Sequence, residues 1–204
     1  GLEAVRWLVS QGIIAAPGHM NADYDTMKAA LANGAQNVPP LFNAMKPIHH
    51  RQPGPIVAAL ETPGLPVELI ADGVHSHPAT VKFVFDTKGR DTVLVTDAMA
   101  AAGSPDGDYL LGPLEVEVRD AVARLKSNGA IAGSTLTLSR AIRFATYTSG
   151  VDIWLALHAA TARPAALLGR TDIGVLVPGA YADLVVESSA LQVQHVFRRG
   201  QQVR

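Results

Sequence analysis

The chain has 204 residues, 48% of them hydrophobic and 17% charged, with a formal net charge of −1. That length and apolar fraction support one or two domains with a sizeable core, while the near-neutral balance excludes the basic surface that nucleic acid or an anionic membrane would need. Cysteine is absent, which rules out a disulfide framework and a thiolate metal site and fits a reducing, cytoplasmic compartment.

Leu2, Val5, Leu8 and Val9 recur at helical spacing, and Gly12 stops the helix that they predict. No apolar run approaches the roughly 20 residues of a membrane span. The opening residues do not read as a signal peptide, and beginning inside a helix without methionine they lead us to expect a piece of a longer protein. Residues 12–16 form a short apolar run that breaks at Pro17-Gly18-His19. Asn21 is positioned to cap a helix over about residues 22–32, with Asn33-Gly34 ending it. Residues 35–38 read as a second strand, ending in Pro39-Pro40. A third, residues 66–71, breaks at Asp72-Gly73-Val74-His75. Pro78 then suits the first position of a helix, with His77 at its cap. Residues 92–96 give a fourth strand that ends at Asp97.

Four strands separated by helices or helix-length loops predict right-handed βαβ units and a parallel sheet. His19, Asn43, His75 and Asp97 all fall at C-terminal strand ends, where a (β/α)8 barrel builds its active site. A doubly wound open sheet is the alternative, but no Gly-rich phosphate loop follows the first strand. From Leu136 the pattern changes to two helices, residues 136–148 and 153–168. Short β segments follow at residues 174–176, 183–186, 195–197 and 201–203, as in part of a small β domain.

Several residues are candidates for chemistry. His19, after a strand and before a helix, suits a metal ligand or a loop hydrogen bond. Asp97 suits a metal ligand, a proton acceptor for an attacking water, or a helix cap. His75-Ser76-His77 has the spacing of a two-histidine clamp, although Pro78 favours His77 as a cap. Arg51, in His49-His50-Arg51-Gln52-Pro53-Gly54, suits bidentate contact with a phosphate or simple solvation. Ile131-Ala132-Gly133-Ser134-Thr135 places small residues before a helix, with amides free to meet a substrate oxygen.

Taken in order, several segments carry a resemblance: Gly18-His19-x-Asn21-Ala22, Leu41-Phe42-Asn43-Ala44-Met45, Arg51-x-Pro53-Gly54, Ala71-Asp72-Gly73-Val74-His75, Val95-Thr96-Asp97-Ala98 and Ala132-Gly133-Ser134. Ala162-Arg163-Pro164-Ala165 and Pro178-Gly179-x-x-Ala182-Asp183-Leu184-Val185 continue it in the tail. Together they resemble the N-acetylglucosamine-6-phosphate deacetylases of the amidohydrolase superfamily, from Gly12 onward. The resemblance implies the C-terminal half of a metal-dependent (β/α)8 (TIM) barrel over residues 1–170, then the C-terminal strands of a small β-sandwich over residues 171–204. It implies hydrolysis of N-acetylglucosamine 6-phosphate to glucosamine 6-phosphate and acetate, with zinc or iron as the divalent metal. His19 would be a metal ligand and Asp97 the proton acceptor and donor. Asn43, Ala44, Arg51, His75, Ile131, Ala132 and Gly133 would contact substrate, with Arg51 at the phosphate. Members are commonly dimers with substrate contacts near the interface.

The chain departs from the family's pattern at Pro40, which stands where the family has its second ligand histidine. The strands expected to bring the family's glutamate ligand are also not among these residues. The expectation is therefore weak metal binding and no useful rate for this chain alone. A non-catalytic remnant that binds sugar phosphate or a partner is the alternative. A different amidohydrolase is a third reading, against which the Leu-Phe-Asn-Ala-Met and Arg-x-Pro-Gly segments count.

Overall fold

The computed structural model describes residues 1–204. α1 (Leu2–Ser10) and α2 (Tyr24–Ala32) flank the first apolar run. The cap of α2 is Asp23, whose carboxylate accepts from the Thr26 amide at 2.8 Å, rather than the expected Asn21. α3 (Gly54–Glu61) buries Ile56, Ala58, Ala59 and Leu60. β1 (Val67–Ile70) and β2 (Thr92–Val95) pair in parallel, Val67 with Thr92 through Ile70 with Val95. Their near-continuous burial is what a strand covered on both faces requires.

α4 (Pro78–Lys88) connects these strands and starts on its proline as expected. The His77 Nδ1 accepts from the Ala79 amide at 3.2 Å, so His77 is a cap and not half of a metal clamp. Val81, Val84, Phe85 and Lys88 fall on one face at helical spacing and are buried. The Lys88 ammonium ends in that buried layer by donating to the Thr62 carbonyl at 2.6 Å, just past α3. Burial lowers its pKa, against the attraction of Asp91.

The other two expected strands do not form ladders. Residues 12–16 touch the next segment through one bond, Gln36 N–H to the Ala15 carbonyl at 2.9 Å. Residues 35–38 meet β1 at a single parallel bridge, Val38 with Val67. One or two hydrogen bonds fix a direction without making a regular strand. At the other side of β2, Ala98 bridges in parallel to Ser134.

An unforeseen three-stranded antiparallel sheet follows β2: β3 (Gly107–Leu111), β4 (Leu114–Arg119) and β5 (Val122–Leu125). In β4, Val116 and Val118 are buried, and they pack with Met99, Ala101, Ala123 and Ala132 as a small second core. The β4–β5 turn places Asp120 and Ala121 at positive φ, 50° and 61°. The Asp106 carboxylate accepts from both of their amides, at 2.5 and 3.2 Å.

α5 (Leu138–Arg143) continues as a π turn over Phe144–Thr148, in place of one regular helix. The expected helix over residues 153–168 is two, α6 (Ile153–Ala160) and α7 (Ala162–Leu167), broken at Thr161. Pro164 lacks the N–H for a bond back to Ala160, so it is accommodated in the first turn of a new helix. In the tail, residues 174–176 are not a strand. β6 (Leu184–Glu187), β7 (Val193–Arg198) and β8 (Gln201–Gln202) form a second antiparallel sheet. Leu191, between β6 and β7, is buried in the main core with residues of β1 and α4. No helix is long and apolar enough to cross a membrane.

Candidate active-site cavity

The loops that follow residues 12–16, residues 35–38, β1 and β2 converge on a cavity of about 320 Å³. Its wall includes His19, Asn43, His75 and Asp97, one from each of four segments that are distant in sequence. Ala44, Ile131 and Gly133 complete the wall together with Pro40 and Val74. The volume falls at the lower end of small-molecule pockets, about 300–1,000 Å³.

The local backbone is unusual here. His19, Phe42, Ala44 and Asp97 adopt positive φ (44°, 74°, 49° and 51°) without being glycine. Such conformations cost of order 1–3 kcal/mol each and gather where surrounding structure enforces them. At Asp97 the enforcement is visible. Its carbonyl accepts from the Ser134 amide at 2.7 Å, and the Met99 amide donates to the Ser134 carbonyl at 2.9 Å. The Ser134 hydroxyl also donates to the Thr96 carbonyl. The turn that presents Asp97 is therefore bolted to the segment carrying Ile131 and Gly133.

His75 is oriented by Asp72. The Asp72 Oδ2 and the His75 Nδ1 are 2.7 Å apart, and both side chains are buried. Oδ1 accepts from the amides of Val74 at 2.8 Å and His75 at 2.7 Å. Burial pushes the Asp72 carboxyl up, but the bonds from the His75 ring and the two amides outweigh it, and its pKa is lowered. A carboxylate can only accept, so Nδ1 carries the proton and Nε2 is the ring nitrogen left for the cavity. Asp72 was not singled out from the sequence. Its signal is the Asp-Gly-x-His spacing, in which Gly73 at φ 81° lets the chain fold back onto the carboxylate.

Two expected contacts lie elsewhere. Ala132 is 7% exposed and packs in the second core, because it alternates with the cavity-facing Ile131 and Gly133. Arg51 lines a separate cavity of about 710 Å³ with Lys46 and His49, and its Nη1 lies 2.7 Å from the His50 Nε2.

A divalent metal fits this donor set poorly. Only His19, His75 and Asp97 bring imidazole or carboxylate to the wall. Pro40, on the same wall, has no side-chain donor. Nowhere do three His, Asp or Glu side chains gather as a metal-binding group, whereas catalytic zinc normally has three protein ligands.

The sequence matches the amidohydrolase family over residues 11–203. It is 40% identical over 203 residues to the N-acetylglucosamine-6-phosphate deacetylase of Vibrio furnissii, covering 99% of this chain and 51% of that one. It is 39% identical to the N-acetylgalactosamine-6-phosphate deacetylase of Escherichia coli O157:H7, covering 98% of this chain and 53% of that one. Among solved structures it is similar to an Asp-to-Ala mutant of N-acetyl-D-glucosamine-6-phosphate deacetylase from Mycobacterium smegmatis, in complex with N-acetyl-D-glucosamine-6-phosphate. The TM-score is 0.95 with 43% identity, covering 99% of this chain and 54% of that one. The chain spans about half the length of the curated relatives it matches.

Proposed function

The chain belongs to the amidohydrolase family, and on that footing we propose that it is the C-terminal portion of an N-acetylglucosamine-6-phosphate deacetylase. In this reading residues 1–170 are half of a (β/α)8 barrel, and residues 171–204 are part of a small β-sandwich. The reaction hydrolyses the N-acetyl group, giving glucosamine 6-phosphate and acetate. The observation that carries the reading is the convergence of His19, Asn43, His75 and Asp97 on one cavity from four separate loops.

Each side chain has a task that suits its chemistry. With Nδ1 held by Asp72, the His75 Nε2 accepts from a sugar hydroxyl. The Asn43 Nδ2 is near the Leu41 carbonyl at 3.2 Å, which leaves Oδ1 as an acceptor. Ala44, Ile131 and Gly133 shape the wall. Asp97 takes a proton from the attacking water as its oxygen bonds to the acetyl carbon. It then returns that proton to the nitrogen as the C–N bond breaks, since an amine anion is too basic to leave unprotonated. Arg51, outside the cavity, meets the phosphate from a second copy in a homodimer. Family membership implies a divalent metal cofactor, with zinc or iron the ions this reading names. The donors of this chain do not fit such an ion, and no step above runs through one.

Calorimetric titration of the chain with N-acetylglucosamine 6-phosphate and its 4-epimer, N-acetylgalactosamine 6-phosphate, tests the assignment. Saturable binding of the former is expected, weakened at least tenfold by His75→Ala, the scale of one lost polar anchor. Equal or tighter binding of the epimer would move the substrate to the galactosamine series, and binding of neither would overturn the reading.

A further inference from the structure

We infer that this cavity takes its amino-sugar phosphate without a bound metal ion, and that Pro40 is the residue that keeps it so. The inference rests on the substrate class proposed above and concerns how that ligand is held. His19 and Asp97 supply one nitrogen and one carboxylate to the cavity wall. The remaining imidazole, His75, has its Nδ1 on Asp72 at 2.7 Å and its Nε2 free, but His19, His75 and Asp97 do not gather as a metal-binding group. Asn43 offers a neutral amide, a weak ligand for zinc or iron. Pro40 occupies the wall between these loops and adds only hydrocarbon. No three of these side chains are placed to share one ion, whereas a catalytic zinc normally takes three protein ligands. The same set does suit hydroxyl groups, which need single acceptors and donors spread around a wall.

Pro40 is also a position where a donor can be restored at little structural cost. Proline has no N–H, so no donor is lost when it is replaced, and its carbonyl still accepts from the Asn43 amide at 3.2 Å. The tight packing of this corner belongs to its neighbour: a Cβ on Gly18 would stand 2.8 Å from the Pro39 Cγ. That contact is left intact when only residue 40 changes. An imidazole at position 40 would add a further nitrogen donor to the wall that carries His19 and Asp97.

The test is a zinc titration by competition with a chromophoric chelator, on the wild-type chain and on Pro40→His, Pro40→Ala and Pro40→His combined with His19→Ala. Circular dichroism first confirms that each variant is folded. The wild type and Pro40→Ala are expected to take up no stoichiometric zinc. Pro40→His should bind at least about tenfold more tightly, the lower end of what a single supporting group is worth at a metal site. Adding His19→Ala should return it to the wild-type level. One equivalent of tightly bound zinc in the wild type, lost on His19→Ala, would overturn the inference, as would a folded Pro40→His with no gain. In parallel, sugar-phosphate affinity of the wild type should be unchanged by EDTA, and a fall on chelation would overturn the inference too. Failure of the sugar phosphate to bind at all refutes the substrate assignment instead, and the zinc titration reads independently of it.

Discussion

A methyl group on Gly133 would stand 3.2 Å from the carbonyl oxygen of Asp97 and 3.2 Å from the Met99 Cβ. Gly133 also sits at φ 64°, where an L side chain is strained. The two residues thus depend on each other: a Cβ at position 133 would press on the turn that presents the carboxylate, which would have to give by a few tenths of an ångström. Gly133→Ala is expected to destabilise the chain by about 1–2 kcal/mol from the backbone conformation alone. It should also weaken sugar-phosphate binding, because relief of the clash displaces the Asp97 turn. Urea melts and calorimetry on the same samples check both effects. Loss of stability with unchanged affinity would mean that the turn does not transmit the strain to the cavity.

The Asp72–His75 pair predicts an acid-side loss of stability. The folded pKa of Asp72 lies below its unfolded value of about 3.9. Its contribution is therefore fully present above that pH and disappears as pH falls through the lower, folded value. In Asp72→Asn the amide oxygen still accepts from the backbone, but the charge-assisted bond from the ring is lost. We expect a cost of about 1–3 kcal/mol at pH 7, and a flatter dependence of stability on pH below about 4 than in the wild type. Urea unfolding of both proteins between pH 3 and 7 decides this, and parallel pH profiles would refute it.

What could be read from sequence divides along physical lines. β1, β2 and α4 were legible because continuous burial and helical spacing are properties of contiguous residues, and His77 was legible as a cap because Pro78 follows it. His19, Asn43, His75 and Asp97 were legible because each follows the end of an apolar run. The β3–β5 sheet was missed although Leu114–Arg119 alternates apolar and charged residues, a period-2 signal. Its turn is held by Asp106, which lies 14 residues from Asp120. The positive φ of His19, Ala44 and Asp97 has no sequence signature, since none is glycine. Ala132 and Arg51 lie outside this cavity for a related reason: residues of one motif share a segment but not a facing direction.

Glu68 makes a prediction of opposite sign to Asp72. It sits on β1 and accepts from the Asn37 Nδ2 at 2.6 Å. Burial raises its pKa, against the Asn37 bond and with the repulsion of Asp97. A carboxyl whose folded value is raised costs stability that is absent below its unfolded pKa of about 4.3 and grows as pH climbs through the folded value. Glu68→Gln keeps an acceptor for Asn37 and removes the charge. The variant should therefore be more stable than the wild type at pH 7 and no more stable at pH 4. Thermal melts at the two pH values measure the difference, and a destabilised variant at pH 7 would show that the charge is needed.

The tail is tied to the rest of the fold at two named points, and this bears on whether it melts separately. The Tyr147 hydroxyl donates to the Ser189 carbonyl at 2.8 Å, and Leu191 is 5% exposed within the main core. Tyr147→Phe removes one hydrogen bond, which is worth about 0.5–1.5 kcal/mol. Leu191→Ala opens a cavity in the main core, at about 2–5 kcal/mol. If the contacts couple the two regions, Leu191→Ala lowers the melting of the whole chain in a single transition, followed by far-ultraviolet circular dichroism and by the fluorescence of Trp7 on α1 and Trp154 on α6. An early transition confined to the β6–β8 sheet, with the tryptophan signal unmoved, would show instead that the tail unfolds as its own unit and that Leu191 only covers the core.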